Sequence, residues 1–172
     1  MKSSYKVRAI RFLDQILPYI QDNLNSLYII KKKVREYNAR HHRNVIVRNG
    51  ACRIVLLTSD YVIKWDYSDK VKTFGGNVEE LEMYEVAKEE GYAYLLAEPT
   101  AQIRNNVTFV IMPRFKMSTH DIEFYSLFSS DEYDWLCDHI YDMHDENFVV
   151  VDGAPIIIDY ACGAKDTYIS SY

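Results

Sequence analysis

Ile10, Leu13, Leu17, Ile20, Leu24 and Leu27 recur at alternating steps of three and four, the spacing that sets side chains on one face of an α-helix. Ser3 or Ser4 can cap the start. Pro18 predicts a kink or the beginning of a second helix, because proline removes a backbone donor and crowds the preceding turn. The stripe covers fewer than three heptads, which predicts packing on the domain that follows rather than a coiled coil. "KKKVREYNARHHR", residues 31–43, reads as a solvated helix face and linker. From Asn44 the period changes. Three apolar, β-branched segments at 45–47, 53–57 and 61–65 are divided by Asn49-Gly50 and by Thr58-Ser59-Asp60, which predicts a three-stranded antiparallel meander.

Gly75-Gly76 then loosens the chain ahead of a helix. Asn77 is its candidate cap, Val78, Leu81, Tyr84, Val86 and Ala87 its apolar face, and Gly91 its end. "VTFVIMPRF", residues 107–115, reads as a strand that Pro113 stops. "SSDEYDWLCDHI" predicts a helix capped by Ser129 or Ser130, with Trp135, Leu136 and Ile140 turned inward. Near the end, "FVVV" and "PIIID" flank Asp152-Gly153, a strong signal for a two-residue hairpin.

The totals narrow the class. A chain of 172 residues can bury a real core without staples. Cys52, Cys137 and Cys162 are odd in number and widely spaced, which points to free thiols in a reducing compartment. The N-terminal stretch is a poor secretory signal and no run approaches membrane-spanning length, so a cytoplasmic protein with no membrane partner is expected. The net charge of −5 conceals an asymmetry: residues 1–48 hold 11 Lys or Arg against 3 Asp or Glu, and the remainder holds 9 against 22. A basic arm can meet nucleic acid, but the acidic remainder would repel phosphate, and that argues against a nucleic-acid partner.

Two places carry chemistry. Lys64 lies in "YVIKWD" among Val62, Ile63 and Trp65, where an ammonium needs a carboxylate partner. Glu79, Glu80, Glu82 and Glu85 on the following helix offer one; snorkelling from an edge strand is the plainer alternative. At the other end of the chain, Asp142 and Asn147 are five apart, and Asp159 follows Asn147 by twelve across the hairpin. Antiparallel strands return the chain to its start, so Asn147 and Asp159 converge as a hard-oxygen half-site suited to Mg²⁺. Asp142 can then accept a proton from an attacking hydroxyl. His120, Asp121, His139, His144 and Asp145 form a weaker, metal-hydrolase alternative.

The order and spacing of these elements resemble the protein-kinase-like fold, including aminoglycoside- and choline-phosphotransferase relatives and the very short kinase-like proteins of bacteriophage genomes. "DMHDEN", residues 142–147, is similar to the catalytic loop D-x-H-x-x-N, "VIKW" to the strand that carries the family lysine, and "IDYA" to D-F-G. The resemblance spans about residues 44–163 and implies an α+β fold. It comprises an antiparallel N-lobe sheet with one αC-like helix (about 44–112), a reduced C-lobe (about 113–172), and a basic N-terminal helical extension (1–43). It further implies ATP and Mg²⁺ as cofactors. Lys64, paired with Glu80 (Glu82 as second choice), would hold the α and β phosphates; Asn147 and Asp159 would hold the metal; Asp142 would orient the acceptor hydroxyl. Gly50 would lie in the phosphate-covering turn, and Met112 in the "IMPRF" hinge that meets adenine.

The departures are specific. "RNGACR" replaces G-x-G-x-x-G, Ile140-Tyr141-Asp142 stands in place of H-R-D so that its His is replaced, Ala161 stands for the last glycine of D-F-G, and 13 residues follow Asp159. Phosphoryl transfer to a protein or small-molecule hydroxyl is therefore set against a catalytically silent, pseudokinase-type module that binds and regulates a partner protein.

Overall fold

The computed structural model describes residues 3–50, 52–67, 76–115, 124–140, 143 and 147–160. Two compact units emerge, Met1–Asn77 with Pro99–Arg114, and Val78–Glu98 with Phe115–Tyr172.

The first unit is a five-stranded, wholly antiparallel sheet with two helices on one face. Its strands are β1 (Ile46–Asn49), β2 (Arg53–Leu57), β3 (Tyr61–Asp66), β4 (Thr100–Arg104) and β5 (Val107–Pro113), in the spatial order β1-β2-β3-β5-β4. The expected meander is present. The strand expected at 107–115 is in fact the second of a pair, because Asn105 and Asn106 both adopt positive φ (52° and 60°) and turn β4 directly into β5. Asparagine tolerates that region because its short polar side chain bonds locally.

Helix α1 (Ser3–Ile20) and helix α2 (Leu27–His41) cover the sheet. The stripe Leu13, Leu17 and Ile20 packs with Ile54, Leu56, Ile63, Trp65, Phe109 and Ile111 into one core. The expected packing of this stripe on the following domain is what occurs. Pro18 does not break α1: the helix runs on to Ile20, then tightens into a 3₁₀ turn at Gln21–Asn23. A proline in the last turn forfeits one bond at an end that is fraying already. Residues 31–43 are not merely a solvated face and linker. Ile30, Val34 and Tyr37, four and three apart, are buried among the charges of α2 and join the core. Trp65 donates its indole N–H to the Leu24 carbonyl (3.0 Å), so the connection between the helices satisfies the largest side chain beneath it.

The second unit contains helix α3 (Asn77–Glu90, whose first residue belongs to the first unit), helix α4 (Ser130–His139) and the hairpin of β6 (Phe148–Val151) and β7 (Ala154–Ile157). Gly91, at φ +88°, ends α3 as expected. Its buried side chains are Asn77, Glu80, Met83 and Ala87, whereas Val78, expected inward, is 51% exposed. Helix α4 opens on a full capping box: Ser129 Oγ accepts from the Glu132 amide, and Glu132 accepts from the Ser129 amide (2.7 Å). The hairpin turns on Asp152 (φ 52°) and Gly153 (φ +84°), the positive-φ pair that two-residue turns demand.

The molecule is thus mixed α+β, with a mainly antiparallel sheet and four α-helices among its described residues. None of these helices is long and apolar enough to cross a membrane. Cys52 and Cys137 are free thiols, as expected; Cys162 lies outside the described residues.

Candidate functional site

Strand β3 is central, paired on both sides, and its alternation decides where Lys64 points. Tyr61, Ile63 and Trp65 belong to the core beneath the helices, so Val62, Lys64 and Asp66 stand on the opposite face. Lys64 lies across from Val55 on β2 and Val110 on β5 and is only 5% exposed. It therefore does not snorkel from an edge.

Just beyond it the sheet is clamped. Asn77 is fully buried; its Nδ2 donates to the Lys64 carbonyl (3.0 Å) and to the Thr108 carbonyl (2.8 Å), joining β3 to β5 at the end of their ladder. Its backbone N–H points at both carboxylate oxygens of Asp66 (3.2 and 3.1 Å). The expected helix cap is thus supplied by Asp66, eleven residues upstream, which places negative charge at the first turn of α3. Asn77 instead crosslinks the strands. Nothing local in the sequence marks that role, since the carbonyls it meets are brought together only by strand pairing.

Among the acids of α3, Glu80 is 0% exposed, Glu79 is half-buried, and Glu82 and Glu85 are exposed. A carboxyl buried on a helix face is unusual enough to require a polar reason. Lys64 belongs to the first unit and Glu80 to the second.

In the hairpin, Phe148 pairs with Ile157, and the Asn147 carbonyl accepts from the Ile158 amide (2.7 Å), so Asn147 sits opposite Ile158 with Asp159 next in line. The chain around Asp159 is fixed on both sides. Ala97 donates its N–H to the Ile157 carbonyl (2.8 Å), and the buried Tyr160 donates its hydroxyl to the Ala97 carbonyl (2.7 Å). Asn147 and Asp159 are each half-buried. Asp142, the expected catalytic acid, lies outside the described residues, as do His120, Asp121, His144 and Asp145. No group of three or more His, Cys, Asp or Glu converges as a metal site among the described residues. His139 is engaged otherwise: it stacks on Trp135 (4.6 Å between ring centroids), and its Nε2 lies 3.5 Å from the Glu90 carboxylate.

Gly50 donates its N–H to the Arg53 carbonyl (2.9 Å) in the β1–β2 turn, with open space where a Cβ would stand. Met112 is buried on β5 opposite Val62. A feature missed in the sequence is a cavity of about 500 Å³ on the helical side of the first unit, lined by Arg8, Arg11 and Arg43 but not by Lys64. Its cations come from both ends of the helical region, so only the fold collects them. Against known protein families, curated proteins and solved structures alike, the chain has no significant match.

Proposed function

We propose that the protein is a minimal kinase-like phosphotransferase that uses ATP and Mg²⁺ to phosphorylate a hydroxyl on a protein or small molecule. The observation that carries this reading is Lys64, an amine buried to 5% exposure between Val55 and Val110 on a strand paired on both sides. An ammonium in such a row is retained where anionic oxygens meet it, and ATP phosphates are such oxygens. Three further features support the assignment. The chain runs through a meander with the lysine on its third strand, an acidic helix, a pair of strands where the resemblance implies one, a helix and a hairpin that Asp159 follows, an order compatible with the resemblance. Glu80, the glutamate matched to the family, is the fully buried one of its helix. The hairpin, closed by its two positive-φ residues, sets Asn147 and Asp159 at its open end.

In this reading Lys64 binds the α and β phosphates, Asn147 and Asp159 supply oxygens to Mg²⁺, and Asp142 orients the acceptor hydroxyl. Thermal-shift titration with ATP and Mg²⁺ tests it. The native chain is expected to show a metal-dependent rise in melting temperature that Lys64→Met and Asp159→Asn both lose. A rise that survives both substitutions refutes the assignment. Labelled phosphate from γ-labelled ATP, incorporated by the native chain and not by Asp142→Asn, separates a transferase from a silent partner-binding module.

A further inference from the structure

The cavity on the helical side of the first unit has the construction of a preformed anion site. Its volume of about 500 Å³ falls in the range of small-molecule pockets. Arg8 and Arg11 on α1 and Arg43 after α2 line it, with Phe12, Val45 and Tyr61 contributing apolar surface. Three arginines thus line the cavity against one carboxylate, Asp60, which is already engaged by Arg8. That local excess of positive charge belongs to a chain of net charge −5.

Both walls are pinned independently of any ligand. On one side the Asn38 side chain closes a two-bond ring with Val45, donating to its carbonyl (2.8 Å) and accepting from its amide (3.1 Å). The Arg43 amide donates to the Asn38 carbonyl (3.1 Å), so the backbone that carries the Arg43 guanidinium is fixed. On the other side, Thr58 Oγ donates to the Tyr61 carbonyl (2.8 Å) and accepts from the Tyr61 amide (3.2 Å). Arg114 holds the same turn through its amide on the Asp60 carbonyl (3.0 Å) and its guanidinium on the Thr58 carbonyl. Burial pushes the Tyr61 hydroxyl up to about 12, with Asp60 adding to the effect, so it stays a neutral donor across the physiological range. A second cavity, of about 300 Å³, shares Gln15 and Arg43 with the first and adds His41.

We propose that this cavity binds a phosphate monoester with a small apolar body, the phosphate meeting Arg8, Arg11 and Arg43 and the body resting on Phe12, Val45 and Tyr61. Guanidinium forks match phosphate oxygens two at a time, which a lone carboxylate cannot exploit on three arginines. Rigid walls reduce the ordering cost of binding. Asp60 competes for Arg8, so binding displaces that ion pair. The inference is independent of the phosphotransferase reading, because neither Lys64 nor Asp159 lines the cavity.

The test uses the full chain, isotopically labelled, titrated with phenyl phosphate and with inorganic phosphate at ionic strength held constant by sodium chloride. Saturable amide shifts are expected in residues 43–45 and 58–61, with phenyl phosphate binding about tenfold more tightly than inorganic phosphate. Arg43→Gln, on an exposed side chain, is expected to weaken binding about tenfold. Asp60→Asn is expected to tighten it, a change of sign that damage to the fold would not produce. Lys64→Met leaves it unchanged. Shifts that are absent, that sodium chloride alone reproduces, or that Arg43→Gln leaves intact overturn the proposal; dependence on Lys64 instead assigns the binding to the nucleotide reading and overturns it equally.

Discussion

Asn77→Ala removes the clamp between β3 and β5 without touching the ladder itself. Two donated hydrogen bonds disappear, to the carbonyls of Lys64 and Thr108. Asn77 is 0% exposed, so water does not replace them in place. A buried acceptor that loses its donor costs about 1–3 kcal/mol, and two such carbonyls, discounted because each has a second lone pair, give about 2–4 kcal/mol. That is a large share of a typical domain stability of about 5–15 kcal/mol. Urea unfolding followed by tryptophan fluorescence measures it, in a Trp135→Phe background so that Trp65 alone reports. Asn77→Asp sharpens the argument, since it keeps the shape and turns an amide donor into an acceptor facing two carbonyl oxygens. Burial there raises its folded pKa above the unfolded value. The aspartate variant is therefore least impaired below the ordinary carboxylate range and loses stability as pH rises through the raised value, falling below the alanine variant at neutral pH. An alanine variant within about 0.5 kcal/mol of native, the range of ordinary surface changes, refutes the clamp.

Other outcomes follow from the same structure. Glu80→Gln is expected to diminish the ATP- and Mg²⁺-dependent thermal shift while Glu82→Gln, on an exposed side chain, leaves it intact; equal effects would remove Glu80 from the nucleotide reading. The Tyr94 hydroxyl donates to Glu132 (2.7 Å), and with the Ser129 cap it holds that carboxyl below its ordinary 4.5. The stabilisation is complete above that value and is lost as pH falls through the lower folded one, so pH-dependent melting of Glu132→Gln shows a flatter acid limb than native. The same bond raises Tyr94 to about 12, so at the alkaline end the stabilisation is lost only as pH rises past the ordinary tyrosine value of 10.0 and through about 12. Gly153→Ala, with open space around its Cβ but φ at +84°, costs about 1 kcal/mol through backbone strain alone, read by denaturant midpoint.

What was legible in the sequence was what local pattern encodes. The meander, the C-terminal end of α3 at Gly91, the Ser129 cap and the Asp152-Gly153 turn each rest on a few adjacent residues, and each is found. The buried face of α2 was hidden because Ile30, Val34 and Tyr37 are outnumbered by the lysines and arginines between them. β4 was overlooked because "TAQIR" is weakly apolar, although Asn105-Asn106 before a strong strand was a usable hairpin signal. Of the candidate site, the inward direction of Glu80 and the seclusion of Lys64 concern burial, and burial depends on neighbours far along the chain. Asn77 as a crosslink, Asp66 as a cap and the three-arginine cavity arise from pairs separated by 11 to 52 positions. No short local pattern joins such partners.

Ile63, Lys64 and Trp65 follow one another on a strand whose two sides are both occupied, and this arrangement edits misfolding. A slip of one residue against either neighbour would drive the ammonium into the layer occupied by Phe109 and Ile111 and strip the indole N–H from the Leu24 carbonyl. An all-apolar strand would tolerate such a slip far more readily. A buried ammonium on that strand therefore sets an energetic penalty against off-register pairing with either neighbour.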